Sequence, residues 1–153
     1  MKLNLGCGYD IRKGYVNIDI RPLDGIDKEM DVSSADMVYA YYEACDEILA
    51  YDILEHFPRN VAHQCLEMWC SLLKINGVLK IRCPDFRHLI SLPQTDEWAE
   101  LLLYGGQDYK HNFHLSGYTE ATLRRMLDSI NMKVTSVEHT PAGNIELEAV
   151  RCR

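Results

Sequence analysis

The sequence predicts one α/β domain built on a largely parallel sheet. Three observations predict it. Short β-branched and apolar stretches alternate with segments of helical periodicity, the pattern of parallel strands joined by crossovers. The first of those stretches ends at once in Gly6-Cys7-Gly8, a turn at the carboxyl end of a strand, where open α/β sheets bind ligands. The chain closes on two period-two runs flanking Pro141-Ala142-Gly143, a hairpin that adds an antiparallel strand to the sheet edge.

The elements follow in order. Lys2–Leu5 is the first strand and Tyr15–Ile20 the second; Met30-Asp31-Val32 is a short third, after a loop punctuated by Pro22 and Gly25. Ser33 or Ser34 caps a brief helix over Asp36–Glu43, and Glu47–Tyr51 is the fourth strand. Arg59–Leu73 places Val61, Cys65, Met68, Trp69 and Leu72 on one helical face, with Pro58 near its start and Asn76-Gly77 turning the chain after it. Val78–Cys83 is a fifth strand, stopped by Pro84. Thr95–Tyr104 is a helix capped by Thr95 and ended by Gly105-Gly106; Glu120–Ile130 is another, capped by Thr119. Met132–His139 and Asn144–Cys152 form the hairpin. Trp69 and Trp98 read as core residues, and Tyr39, Tyr41, Tyr42 and Tyr51 as core and helix face, with a stacking platform as the alternative.

The first crossovers are short. About nine residues separate the first two strands; at roughly 3.3 Å each they reach about 30 Å, and retracing a five-residue strand needs about 16 Å. The return fits, but a full helix does not. The loop 21–29 is equally tight. The helices of these crossovers are therefore expected to be one turn or absent, leaving one end of the sheet thinly covered and open to a partner or to a second copy in a homodimer.

Composition narrows the function. The 153 residues are 47% hydrophobic, enough for a core of one domain, and the formal net charge is −7. With only Arg12-Lys13 and Arg124-Arg125 as adjacent basic pairs, no basic patch offsets that charge, which argues against a nucleic-acid partner. The six cysteines form no Cys-x-x-Cys pair; they read as buried free thiols of a reducing compartment rather than as a zinc site. No 18-residue apolar run and no apolar leader is present, so a cytoplasmic protein without a membrane span is expected.

Five segments carry the chemistry. Asn4-Leu5-Gly6-Cys7-Gly8 lets backbone approach a ligand closely, although Ile11 stands where a dinucleotide fingerprint needs a third glycine. Asp19, ending the second strand, can accept from the paired hydroxyls of a ribose or can simply be solvated. Asp31, ending the third, can accept an adenine amino group or cap a helix. Asp52-Ile53-Leu54-Glu55-His56-Phe57-Pro58 follows the fourth strand, and Leu73-Lys74-Ile75-Asn76-Gly77 leads into the fifth.

In that order, with Gly14–Asp19 and Pro84-Asp85, the segments resemble the class I S-adenosylmethionine-dependent methyltransferases, and within them the compact branch related to the type 11 methyltransferase domain. The likeness covers about residues 2–85; beyond it only the helix-then-hairpin pattern is shared. The resemblance implies a Rossmann-like sheet of order 3-2-1-4-5-7-6 with strand 7 antiparallel. It implies S-adenosylmethionine as cofactor, with S-adenosylhomocysteine as product, held by Leu5, Gly6, Cys7, Gly8, Asp19, Ile20, Asp31, Val32, Tyr51 and Asp52. This cofactor is a sulfonium without phosphate, so it loses little where a crossover helix is truncated. Asn4 departs from the family in replacing an acidic residue, which leaves the cofactor's amino group to other partners.

Methyl transfer needs an acceptor aligned about 3 Å from the methyl carbon and, for a hydroxyl or protonated amine, a general base. His56 is one candidate, with a structural role in its loop as the alternative. His111 and His114, in a polar-aromatic segment after Gly105-Gly106, are the others, with incidental surface histidines as the alternative. Asp108, His111 and His114 lack an evident fourth ligand, so no metal is expected there. Glu55 reads as a structural hydrogen-bond acceptor, with an acid near the sulfonium as the alternative. The acidic charge, and the absence of the Asn/Asp-Pro-Pro-Tyr motif after the fourth strand, favour a small-molecule or glycan acceptor. The competing readings are a catalytically silent cofactor-binding or scaffold module and, disfavoured by Ile11, a dinucleotide oxidoreductase.

Overall fold

The computed structural model describes residues 1–92 and 97–152. A seven-stranded sheet runs in the order β3-β2-β1-β4-β5-β7-β6, comprising β1 Lys2–Leu5, β2 Val16–Asp19, β3 Lys28–Glu29, β4 Cys45–Tyr51, β5 Leu73–Pro84, β6 Met132–His139 and β7 Asn144–Arg151. Strands β1 to β5 pair in parallel; β7 is antiparallel to both neighbours. This is the expected α/β architecture and strand order. The helices are α1 Asp36–Tyr41, α2 Arg59–Leu72, α3 Phe86–Leu89, α4 Glu97–Tyr104 and α5 Glu120–Ser129.

The two first crossovers contain no helix, and polar side chains take over its work. Asn17, on buried β2, is the hub. Its amide Nδ2 donates to Arg12 O (3.2 Å) and Asp27 Oδ2 (3.0 Å), and its Oδ1 accepts from Arg12 N (2.8 Å) and Asn4 Nδ2 (3.1 Å). Asn4 Nδ2 also donates to Asp10 O (2.7 Å). Both returning loops are thus tied to strands by amides rather than by apolar packing. This also accounts for asparagine at position 4: a carboxylate there could donate to neither oxygen.

The other half is held by an apolar core. Trp69 of α2 is fully buried, donates Nε1 to Val32 O (2.9 Å) and meets Phe57 edge-on at 6.3 Å. Leu3, Ile48, Leu66, Leu79, Leu123 and Leu147 complete the same cluster from both faces of the sheet.

Several local expectations shift. The third strand is β3 at Lys28–Glu29, two residues before Met30-Asp31-Val32, because Asp27 N and Met30 N already donate to Asn17 O and Asp19 O of β2. Ala35, directly before α1, offers no side-chain cap, but Ser34 Oγ accepts from Asp36 N at the start of the helix (3.2 Å), and Asp31 Oδ1 accepts from Ser33 N and Oγ just before it. Strand β5 starts at Leu73, directly after α2, with Asn76 at φ 66° inside an irregular opening where Cys45 pairs with Leu73 and Glu47 with Val78. Thr119 caps α5 as expected, its Oγ1 accepting from Thr122 N. Thr95, the expected cap of α4, lies outside the described residues. Trp98 is not core: it is about half exposed and donates to Ala142 O. Tyr39 and Tyr42 are exposed, whereas Tyr41 is buried. Five of the six free cysteines are buried; Cys152 is exposed. Among the described residues no helix is long and apolar enough to cross a membrane.

Candidate functional site

A cavity of about 570 Å³ opens at the carboxyl ends of β1, β2, β4 and β5. On one side lies the turn after β1. Gly6 and Gly8 both have positive φ, 60° and 53°. A Cβ on Gly6 would sit 2.5 Å from Ile53 Cδ1, whereas one on Gly8 would meet only Arg21 Nη2 at 3.5 Å. Gly6 therefore lets this turn pass close under the loop after β4.

Asp19 faces the same space from the end of β2 and is only 4% exposed. Its Oδ2 accepts from Gly8 N (2.8 Å), and its Oδ1 from Arg21 N (2.9 Å) and Arg21 Nε (3.1 Å). Arg21 in turn lies over the Tyr109 ring at 4.2 Å, so one guanidinium bridges β2 to the segment after α4.

The floor comes from the end of β4. Asp52 has φ 53°, a strained conformation for a non-glycine residue, and its carboxylate is held by Arg82 of β5 with two bonds of 3.0 Å from Nε and a further one from Nη2. Arg82 also stacks on Tyr51 at 4.7 Å.

The far end is built by a single turn of 3-10 helix, Leu54–His56, and by the segment 105–116 strapped over it. Leu115 N and Ser116 N both donate to Glu55 O, Ser116 Oγ donates to Phe57 O, and His114 N donates to Tyr104 O. The strap brings His114 against His56, ring centroids 4.9 Å apart and nearly perpendicular. His56 Nδ1 lies 3.0 Å from Phe113 O and His114 Nδ1 2.6 Å from Leu102 O. A carbonyl accepts only, so each Nδ1 carries its proton and each Nε2 is left with a lone pair when the ring is neutral. Burial lowers both imidazole pKa values, favouring that neutral form.

Beside them Glu55 is 2% exposed, and its Oε2 has no hydrogen-bond partner. Burial pushes its pKa up to about 8. Trp98, Leu101, Leu102, Phe113 and Leu115 give this end an apolar wall.

No protein-family model matches the sequence, and no curated protein does. Solved structures do. The chain matches Burkholderia thailandensis 1,6-didemethyltoxoflavin-N1-methyltransferase, solved with 1,6-didemethyltoxoflavin and S-adenosylhomocysteine bound, at TM-score 0.71 and 16% identity, over 99% of this chain and 71% of that one. It matches an S-adenosylmethionine-dependent methyltransferase from Methanosarcina mazei at TM-score 0.64 and 16% identity, over 99% and 92%. It also matches a structure of the Haloferax volcanii Trm112 methyltransferase activator in complex with a putative methyltransferase, at TM-score 0.70 and 12% identity, over 99% and 82%. The chain has the class I methyltransferase fold.

Within this methyltransferase fold the structure gathers most of the residues singled out from sequence. Gly6, Cys7, Gly8, Asp19, Ile20, Asp31, Val32, Tyr51, Asp52, His56, His111 and His114 all line the one cavity. Leu5 does not: its side chain is fully buried in the core. His111 is exposed at the rim, whereas His114 is drawn inward. Glu55, expected as a structural acceptor, leaves its Oε2 without a hydrogen-bond partner. His114 joins Glu55 and His56 rather than Asp108 and His111. Arg82, Arg21 and Trp98 are among the lining residues that sequence reasoning missed. Arg82 sits in an ordinary strand pattern and Trp98 on an amphipathic helix, and neither carries a local mark of a site.

Proposed function

We propose that the chain binds S-adenosylmethionine across the ends of β1, β2 and β4 and transfers its methyl group to a small-molecule acceptor held at the His56–His114 end. One observation carries this reading: the buried Asp19 carboxylate, fixed by Gly8 N, faces a cavity whose neighbouring turn passes under Ile53 only because residue 6 is glycine. In this reading the ribose hydroxyls donate to Asp19 in place of the Arg21 side chain, while Arg21 keeps its stack on Tyr109. Asp31 and Val32 flank the adenine, and Tyr51 and Asp52 the methionyl end. When bound, the cofactor supplies a methyl group on a sulfonium, activated for in-line displacement.

The protein's own contribution is alignment and water exclusion. The segment 105–116 covers the acceptor, and the Nε2 lone pairs of His56 and His114 receive the hydrogen of an acceptor hydroxyl. His111, at the rim, lies where the acceptor enters. The wall of Trp98, Leu101, Phe113 and Leu115 supports an acceptor with an apolar or aromatic face over a glycan. The neighbour that binds 1,6-didemethyltoxoflavin is consistent with an acceptor of that size.

Calorimetric titration with S-adenosylmethionine and S-adenosylhomocysteine tests the reading. Micromolar binding, weakened at least tenfold (about 1.4 kcal/mol) by Asp19→Ala, is the expected result. No binding of either ligand to the folded wild type would overturn it and leave the catalytically silent scaffold in its place.

A further inference from the structure

We propose that Glu55, His56 and His114 form a seat for one divalent transition-metal cation at the acceptor end of the cavity. One ring nitrogen of each histidine and one carboxylate oxygen of Glu55 lie within 4.8 Å of one another. A cation with ligands at about 2.0–2.2 Å needs such atoms about 3 Å apart, a closure that modest side-chain rotation supplies.

Three features set this group apart from a chance cluster. First, each histidine already has Nδ1 directed at a backbone carbonyl, Phe113 O for His56 and Leu102 O for His114. Metal-binding histidines are oriented in this way by the nitrogen that does not ligate, and here Nε2 remains for the cation. Second, Glu55 is almost wholly buried and its Oε2 has no donor within reach. A buried carboxylate oxygen without a partner is costly, and a cation beside the two imidazoles removes that cost. Third, all three residues line the cavity, so a three-residue set leaves coordination positions open towards it.

Two imidazoles and one carboxylate suit manganese, iron, cobalt, nickel or zinc better than calcium or magnesium. The ligands come from two segments that are distant in sequence and joined by the bonds from Leu115 N and Ser116 N to Glu55 O, so the site exists only when the strap is closed.

The inference rests on the methyl-transfer reading for its chemical consequence alone. An acceptor hydroxyl that reaches an open position gives its proton to solvent more readily. Its oxygen then takes the methyl carbon, and the electrons of the broken carbon–sulfur bond return to sulfur. The cation thereby takes over from direct hydrogen bonding to the two imidazoles.

The test uses the full chain stripped with a chelator and titrated with cobalt(II) as probe, followed by visible absorption and equilibrium dialysis. One equivalent per chain is expected, with ligand-field bands and no thiolate charge-transfer band. His114→Ala and Glu55→Gln should each weaken binding at least tenfold, while His63→Ala leaves it unchanged. Substoichiometric binding, a thiolate band, or unchanged affinity in folded Glu55→Gln would overturn the site. Titration with S-adenosylhomocysteine on the same samples separates the two claims. Cobalt without cofactor binding sinks the methyl-transfer reading and keeps the cation seat; cofactor without cobalt does the reverse.

Discussion

Strands β1–β3 and β4–β7 share one sheet, yet the first three are joined by bare loops tied down by amide hydrogen bonds, whereas β4, β5 and β6 are joined by helical crossovers, with helices packed on an apolar core, and β7 closes a hairpin. Asn17 by itself holds Arg12, Asn4 and Asp27. Trp69, in contrast, is held by shape and burial, with one bond to Val32 O. A truncated crossover can thus be replaced by directional polar contacts, provided that each donor and acceptor finds a partner. Those contacts lie directly beneath the turn that carries Gly6 and Gly8, so the economical half of the molecule is also the half that shapes the proposed cofactor site.

The comparison can be broken by substitution. The largest effect should come from Trp69→Ala, about 3–5 kcal/mol for an aromatic core truncation, or roughly 2–4 °C of melting temperature per kcal/mol at this size. Differential scanning calorimetry measures it, and the fraction that remains folded should keep its affinity for S-adenosylhomocysteine. Asn17→Ala should cost less, about 1–3 kcal/mol, because it orphans partners rather than opening a large cavity. It should, however, lower that affinity, since the loop under Gly8 loosens. Equal loss of affinity in both variants would show that the two halves are not distinct.

Glycine substitutions sharpen the same point. Gly6→Ala drives a Cβ to 2.5 Å from Ile53 Cδ1 at φ 60° and should abolish measurable ligand binding. Gly8→Ala meets only Arg21 Nη2 at 3.5 Å and should reduce affinity by less than tenfold.

The smallest effect belongs to the hairpin. His139 is paired by Nε2 with Glu120 Oε2 (3.0 Å) and by Nδ1 with Asp85 Oδ2 (2.8 Å), and Arg124 also holds Glu120. The bonds to Glu120 and Asp85 raise the His139 pKa, so its stabilising contribution is complete below its ordinary value of 6.5 and is lost as pH rises through the raised one. The His139 and Arg124 contacts lower the Glu120 pKa, so its share is complete above 4.5 and is lost as pH falls through the lowered value. The difference in melting temperature between wild type and His139→Gln should therefore peak between those two ordinary values. It should stay at about 1–2 °C, because the imidazole is half exposed.

Much of this architecture is legible in the residues. Strand periodicity, Gly6-x-Gly8 and the closing hairpin point to the parallel α/β sheet with its antiparallel strand, and the family resemblance implied the strand order that the structure has. The acceptor end was less legible. Glu55 and His56 are adjacent in sequence, but His114 is 58 positions beyond His56, on a segment without periodicity, and only the bonds from Leu115 and Ser116 to Glu55 O bring it home. β3 lies two residues before its expected position for a similar reason: two residues make no pattern, and backbone bonds to β2 decide which two they are.

The most direct measurement is a crystal structure of the chain with S-adenosylhomocysteine. Both ribose hydroxyls are expected within hydrogen-bond distance of Asp19, the Arg21 side chain withdrawn from Oδ1, and the sulfur directed towards His56 and His114. Ligand bound with Asp19 still engaged by Arg21, or with the sulfur turned away from the two histidines, would rule out methyl transfer at this end of the cavity.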